Sequence, residues 1–190
     1  MFFAYILAGV MVFWLIAKHM NKQRNHEKAV EKVSARLKKI CGKPGEVLKN
    51  ATLNLPEGKM TFDAVLMDKR GVYLVRTYGW GIKIYGTPDG AMWRREDAKR
   101  KEEFENPLLE LKKGAAEITK VMEENGVQNL KVMPMVVFAD NFQTPDLYLG
   151  YGSFSTTYQE LKNWYKKQSG VKEVQYDYDK VSSIIKELAK

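Results

Sequence analysis

The sequence contains only one cysteine and two histidines in 190 residues. A single thiol, Cys41, cannot form an intramolecular disulfide or a cysteine-based metal site, so no oxidising compartment is implied. His19 and His26 both lie in a basic N-terminal segment, away from residues that would complete a catalytic triad or a metal site. Serine–histidine hydrolases and histidine-rich metal enzymes are therefore disfavoured.

Charge is absent from residues 1–17 and concentrated directly after them. Of the net charge of +8, residues 18–49 contribute +7 and residues 50–190 only +1. The folded part is therefore nearly neutral, which does not favour a nucleic-acid-binding surface spread over the whole domain. The length and the 45% hydrophobic and 28% charged residues are typical of one globular domain.

The uncharged N-terminal segment predicts an uncleaved, single-pass transmembrane anchor over residues 1–19. As a helix, residues 1–17 would span roughly 25 Å. A cleaved signal peptide would carry basic residues before the apolar run, and a buried core helix is the remaining alternative. Because the cations Lys18, Lys22 and Arg24 form a neck after the run, we expect the N-terminus outside and the C-terminal domain in the cytoplasm.

Residues 20–41 predict a basic, amphipathic neck helix. From about Glu27 to Ile40, apolar residues recur at helical spacing and the opposite face is basic. Two interpretations stay open. The basic face is attracted to anionic lipid headgroups, or the segment is the first helix of the domain with a solvated basic face.

Residues 42–190 predict a globular α/β domain with a mixed, largely antiparallel sheet flanked by helices. Short β runs separated by turn residues indicate an antiparallel meander, and Asn106–Pro107 is typical of a helix start. The predicted strands are Ala51–Leu55, Thr61–Asp68, Gly71–Tyr78, Ile82–Tyr85, Ala91–Arg94, Lys131–Ala139 and Leu147–Tyr151. The predicted helices are Asn106–Asn125, Thr156–Gln168 and Tyr178–Ala189.

An ordered set of short motifs extends over about residues 42–140. The motifs are Gly45-Glu46, Leu53-Asn54-Leu55-Pro56, Phe62-Asp63-Ala64-Val65-Leu66, Gly71-Val72-Tyr73-Leu74-Val75, Gly81, Ile84-Tyr85-Gly86, Trp93 and Asn106-Pro107-Leu108. In this order and spacing they resemble the nuclease-related domain (NERD) family. That family looks like part of the PD-(D/E)xK nuclease superfamily, so the resemblance implies a restriction-endonuclease-like fold.

The resemblance also implies a magnesium site, in which carboxylates hold the metal and a Glu-x-Lys triplet supplies a carboxylate and a lysine. Glu46 and Asp63 stand at the carboxylate positions, but the triplet position contains Arg76, Thr77 and Tyr78. A guanidinium repels a divalent ion, and a phenol does not replace a cationic lysine. The sequence therefore predicts a degenerate, metal-free site in which Arg76 pairs with Asp63. The alternative treats Glu46 as a solvated carboxylate and Asp63 as a strand-end residue.

Aromatic and basic residues next to the triplet form a candidate nucleic-acid-binding group, Trp80, Trp93, Arg94 and Arg95. Acidic residues interrupt this group, which favours a solvated loop of mixed charge.

The leading hypothesis is a membrane-anchored pseudoenzyme that acts as a cytoplasmic binding or assembly module, without a cofactor. Its expected partners are the lipid bilayer and either another protein or a second copy of the chain in the membrane, with only weak nucleic-acid binding and no small-molecule ligand. Two alternatives remain. One is a nuclease with a rearranged site that uses Mg²⁺, Glu46, Asp63 and Asp68, and the other is a domain that binds nucleic acid without cleaving it.

Overall fold

The computed structural model describes residues 6–7, 9–16, 26–98, 100–140, 143–168 and 176–190. The elements are α1 (His26–Cys41), β1 (Glu46–Leu55), β2 (Gly58–Asp68), β3 (Gly71–Tyr78), β4 (Lys83–Gly86), β5 (Met92–Glu96), β6 (Lys101–Glu105), α2 (Pro107–Glu124), β7 (Val132–Phe138), β8 (Asp146–Leu149), β9 (Ser155–Thr157), α3 (Leu161–Gln168) and α4 (Tyr178–Leu188).

The main sheet has five strands in the order β1-β2-β3-β7-β9. The strands β1, β2 and β3 form the predicted antiparallel meander, whereas β7 and β9 are added in parallel. Pro134 fits in β7 because the pairing with β9 begins only at Val136, so the strand has no β9 partner at the proline. The α/β class and the mixed sheet are thus confirmed.

A second sheet of four strands, in the order β6-β5-β4-β8, was not predicted as a separate unit. Its strands β4, β5 and β6 lie between β3 and β7 in the chain, whereas β8 follows β7. The side chains Ile84 and Trp93 of this sheet are buried in the core that the main sheet forms with α2 and α4. Strand β6 (Lys101–Glu105) was not among the strands predicted from the sequence. Likewise, residues 155–157 form β9, so the helix predicted from Thr156 begins only at Leu161.

Helix α1 packs its apolar face on the side of the main sheet that faces away from α2 and α4. Ala29, Val33 and Leu37 are fully buried there, among residues that include Leu66 and Val75. Two interpretations were left open for residues 27–40. The structure supports the first helix of the domain, because the apolar face of α1 is already covered by protein.

The transmembrane helix predicted over residues 1–19 is wrong for the part of this segment that the structure describes. Residues 6–7 and 9–16 are helical and exposed. Throughout the described ranges, no helix has both the length and the apolar character needed to cross a membrane. The neck cations Lys18, Lys22 and Arg24 lie outside the described residues.

Candidate functional site

Asp63 and Arg76 lie side by side where two neighbouring strands separate. The pairing of β2 with β3 ends at Ala64 and Val75, the residues adjacent to them. The Asp63 carboxylate occupies the gap, and its Oδ2 accepts a hydrogen bond of 2.6 Å from the backbone N–H of Thr77. A side chain thereby replaces the next bond of the ladder, which fixes the position of a carboxylate that is only 5% exposed.

The guanidinium of Arg76 balances this buried charge. Its Nη1 lies 3.5 Å from Asp63 Oδ1, so the pairing predicted from the sequence is present. Its Nη2 donates to Glu110 Oε2 at 2.7 Å and to the carbonyl oxygen of Thr61 at 3.1 Å. A buried carboxylate without a cation would be strongly destabilising, and Arg76 removes that cost while joining β2, β3 and α2.

His26 also reaches Asp63, from the first residue of α1. Its Nε2 lies 3.3 Å from Asp63 Oδ1, although the imidazole is itself 59% exposed. Neither His26 nor Glu110 was predicted from the sequence to lie at this site. They lie on two helices far from Asp63 in the chain, and no local motif links either of them to the strand residues.

Glu46 is not part of this cluster. It begins β1 rather than lying on a helix, and its Oε2 is 2.8 Å from Lys186 Nζ and 3.2 Å from Ser182 Oγ on α4. Glu46 pairs with Met67 in the sheet, four residues along β2 from Asp63, which is about 13 Å at strand spacing. The two carboxylates expected to share a metal are therefore held apart.

Asp68 lies still farther along β2, at its last residue. It is buried, and it accepts hydrogen bonds from the Tyr165 hydroxyl and from the backbone N–H of Arg70. Five residues of strand separate it from Asp63, so it does not supply a second carboxylate to the cluster.

Tyr78, predicted from the resemblance to stand at the position of the superfamily's lysine, belongs to an aromatic cluster. Its ring stacks on Phe138 at a centroid distance of 5.4 Å and contacts Trp80 and Phe104. Burial raises the pKa of the Tyr78 phenol to about 12. The side chain is therefore neutral near pH 7, and it contributes aromatic packing rather than a positive charge.

The residues present do not fit a magnesium ion. Such a site needs several oxygen ligands, usually with more than one carboxylate, yet Asp63 faces the cation Arg76 and both Glu46 and Asp68 are remote. Across the described residues, no three His, Cys, Asp or Glu side chains form a group that could hold a metal.

The candidate nucleic-acid-binding residues are engaged by other protein groups instead of forming an open stacking surface. Trp93 is 1% exposed and donates from Nε1 to the Thr87 carbonyl oxygen at 2.9 Å, so it belongs to the core. The Trp80 ring is covered by the Arg95 guanidinium at 4.4 Å, and Arg95 also pairs with Glu102. Arg94 lies 3.8 Å from Glu96. This arrangement fits the alternative of a mixed-charge surface.

The chain is similar to a known protein family and to a bacterial relative. The nuclease-related domain model matches residues 22–139, a range that includes α1 as well as β1 to β7. An uncharacterized protein of Bacillus anthracis is 32% identical over 96 residues, which are 50% of this chain and 44% of that protein. The chain therefore aligns with less than half of that relative's length.

No solved structure matches the chain significantly. The family match, in contrast, covers well over half of its residues and includes the strands that carry Asp63 and Arg76. The chain therefore belongs to the nuclease-related domain family.

Proposed function

We propose that this member of the family is a binding or assembly domain that does not cleave nucleic acid. The observation that carries the proposal is the contact of Arg76 with Asp63. Arg76 occupies the position at which the superfamily's metal-dependent chemistry needs a carboxylate, and Tyr78 occupies that of the lysine.

The surrounding contacts support the same conclusion. Glu110 satisfies a second side of the guanidinium, so Arg76 is held in place by carboxylates on two elements. A rotation of Arg76 that cleared the way for a metal would break both of these contacts. The rearranged nuclease site has no comparable support, since Glu46 is held by Lys186 on another element.

The test is a cleavage assay on the full chain with single-stranded DNA, duplex DNA and RNA in the presence of Mg²⁺ or Mn²⁺. We expect the wild type and Asp63→Ala to give the same background as buffer. Asp89→Ala is the matched control, because Asp89 is an exposed aspartate on a loop. Robust cleavage by the wild type and by Asp89→Ala that is lost in Asp63→Ala would contradict the proposal.

A further inference from the structure

A basic groove of about 630 Å³ lies between α1 and α3, on the face of the main sheet that α1 covers. Cations from three separate parts of the chain line it, and among the described residues no Asp or Glu does. These cations are Lys32, Arg36, Lys39, Arg70, Lys162 and Lys166. The concentration of one sign of charge in a concave space raises the local concentration of anions.

The two arginines of the basic groove are held in place by neighbouring backbone and rings. Arg36 Nη2 donates to the Gln159 carbonyl oxygen at 3.3 Å, and Arg70 Nη1 donates to the Tyr165 carbonyl oxygen at 3.2 Å. A guanidinium has five N–H donors, so one such bond positions it and leaves donors for a ligand. Arginine recognises phosphate oxygens through paired hydrogen bonds.

The tyrosines of the groove already have cations against their rings. Lys32 Nζ lies 4.1 Å and Arg36 Cζ 4.5 Å from the centroid of Tyr158, and Arg70 Cζ lies 4.3 Å from that of Tyr165. A nucleobase would have to displace these cations to stack there. The groove is therefore suited to phosphate groups rather than to bases.

The dimensions of the groove indicate a compact ligand. Lys32, Arg36 and Lys39 are spaced by four and three residues on α1, so they share one helix face and extend about 10 Å along it. Lys162 and Lys166 form a matching pair on α3 across the groove. This length exceeds one phosphate, and the volume lies within the roughly 300–1,000 Å³ that is usual for small-molecule sites.

We infer that the basic groove binds a compact anion with two or more linked phosphoryl groups, either an inorganic polyphosphate or the polyphosphate of a nucleotide. This inference deepens the proposed binding role and rests on it, and it replaces the expectation that no small-molecule ligand binds. A flat anionic membrane is a poorer fit, because the cations line a concavity rather than project from a convex surface.

The test measures the thermal unfolding of the full chain with sodium tripolyphosphate, against sodium chloride of equal ionic strength. We expect tripolyphosphate to raise the Tm by about 3 °C or more and chloride not to. The double variant Lys39→Glu/Lys162→Glu should lose this shift. The exposed double variant Lys59→Glu/Lys120→Glu changes the net charge equally and should keep it.

A parallel titration with ATP separates the two sources of phosphate. An equal shift indicates recognition of the phosphate chain alone, and a larger shift with ATP indicates a nucleotide. The inference is overturned if tripolyphosphate gives no specific shift, or if both double variants lose it equally. It is also overturned if a labelled oligonucleotide or phosphatidylserine vesicles bind at the groove and tripolyphosphate does not displace them.

The outcomes are independent of the cleavage assay. Metal-dependent cleavage together with a tripolyphosphate shift would refute the proposed function and leave the groove assignment intact. Absence of both cleavage and shift would leave the non-catalytic role and refute the groove assignment.

Discussion

At the residue scale, the cluster around Asp63 shows how a neighbouring side chain sets the charge balance of a buried carboxylate. The gap between β2 and β3 holds this carboxylate, and its nearest charged partner on β3 is a guanidinium. Arg76 compensates the buried charge of Asp63. We therefore expect this pair to stabilise the fold, and substitution of Asp63 tests that role.

Replacing Asp63 with asparagine should lower the free energy of unfolding by about 2–4 kcal/mol, since Arg76 then loses its buried charge partner. Urea denaturation measures the change. Asp89→Asn is the matched control, because Asp89 is 90% exposed in its pair with Lys112 and such pairs contribute at most about 1 kcal/mol. Equal effects of the two substitutions would refute a structural role for Asp63.

Because of Tyr78, we expect the free energy of unfolding to depend on pH in the alkaline range. Burial raises its pKa to about 12, so the folded chain keeps the phenolic proton after the unfolded chain has released it. This contribution to stability is complete below about pH 10 and is lost as the pH rises through 12.

Tyr78→Phe removes that ionisation, so it should match the wild type near neutral pH and exceed its stability by roughly 1 kcal/mol at pH 11. Denaturant titrations at both pH values measure the difference. The exposed Tyr151 provides the control Tyr151→Phe, which should show no such gain. A constant difference between Tyr78→Phe and the wild type at the two pH values would contradict the prediction.

At the scale of elements, local sequence predicts those structures whose signals lie within a few residues. Helix α2 begins as expected: the Asn106 side chain accepts a hydrogen bond from the Leu108 N–H at 3.0 Å, and Pro107 follows in the first turn. The meander follows from short apolar runs that are separated by turn residues. Strand β6 was missed because it is an edge strand whose side chains are mostly charged and exposed, which removes the apolar pattern.

Asn106 also has a function that the cap motif does not reveal. Its side-chain N–H group donates to the carbonyl oxygens of Gly90 at 2.7 Å and Pro88 at 3.2 Å, so it ties α2 to the loop before β5. We expect Asn106→Ala to lower the free energy of unfolding by about 2–3 kcal/mol, through loss of the cap and of buried hydrogen bonds.

The control for Asn106 is Asp177→Ala, which removes only the cap of α4 and should cost about 1 kcal/mol. Asn106→Asp should not restore the stability, because a carboxylate can cap α2 but repels the two carbonyl oxygens. Full rescue by aspartate in urea denaturation would show that only the cap matters.

At the scale of the whole molecule, the sites are assembled from residues that no local pattern connects. His26 and Glu110 reach the strand cluster from two helices, and the basic groove joins α1 to Arg70 and α3. Dividing the charge along the chain indicated a neutral body after a basic segment. In the folded chain, part of that basic segment lies next to cations from residues 50–190. The concentration of positive charge in the groove could therefore not be predicted from the sequence.

The account depends most on the claim that Arg76 excludes a metal from the Asp63 site. Calorimetric titration of the full chain with Mn²⁺ tests this claim, with Arg76→Glu/Tyr78→Lys as the variant that restores the Glu-x-Lys triplet. We predict no saturable binding at Asp63 in the wild type, and binding in the variant because a second carboxylate replaces the guanidinium. Saturable binding by the wild type that Asp63→Asn abolishes would contradict the account.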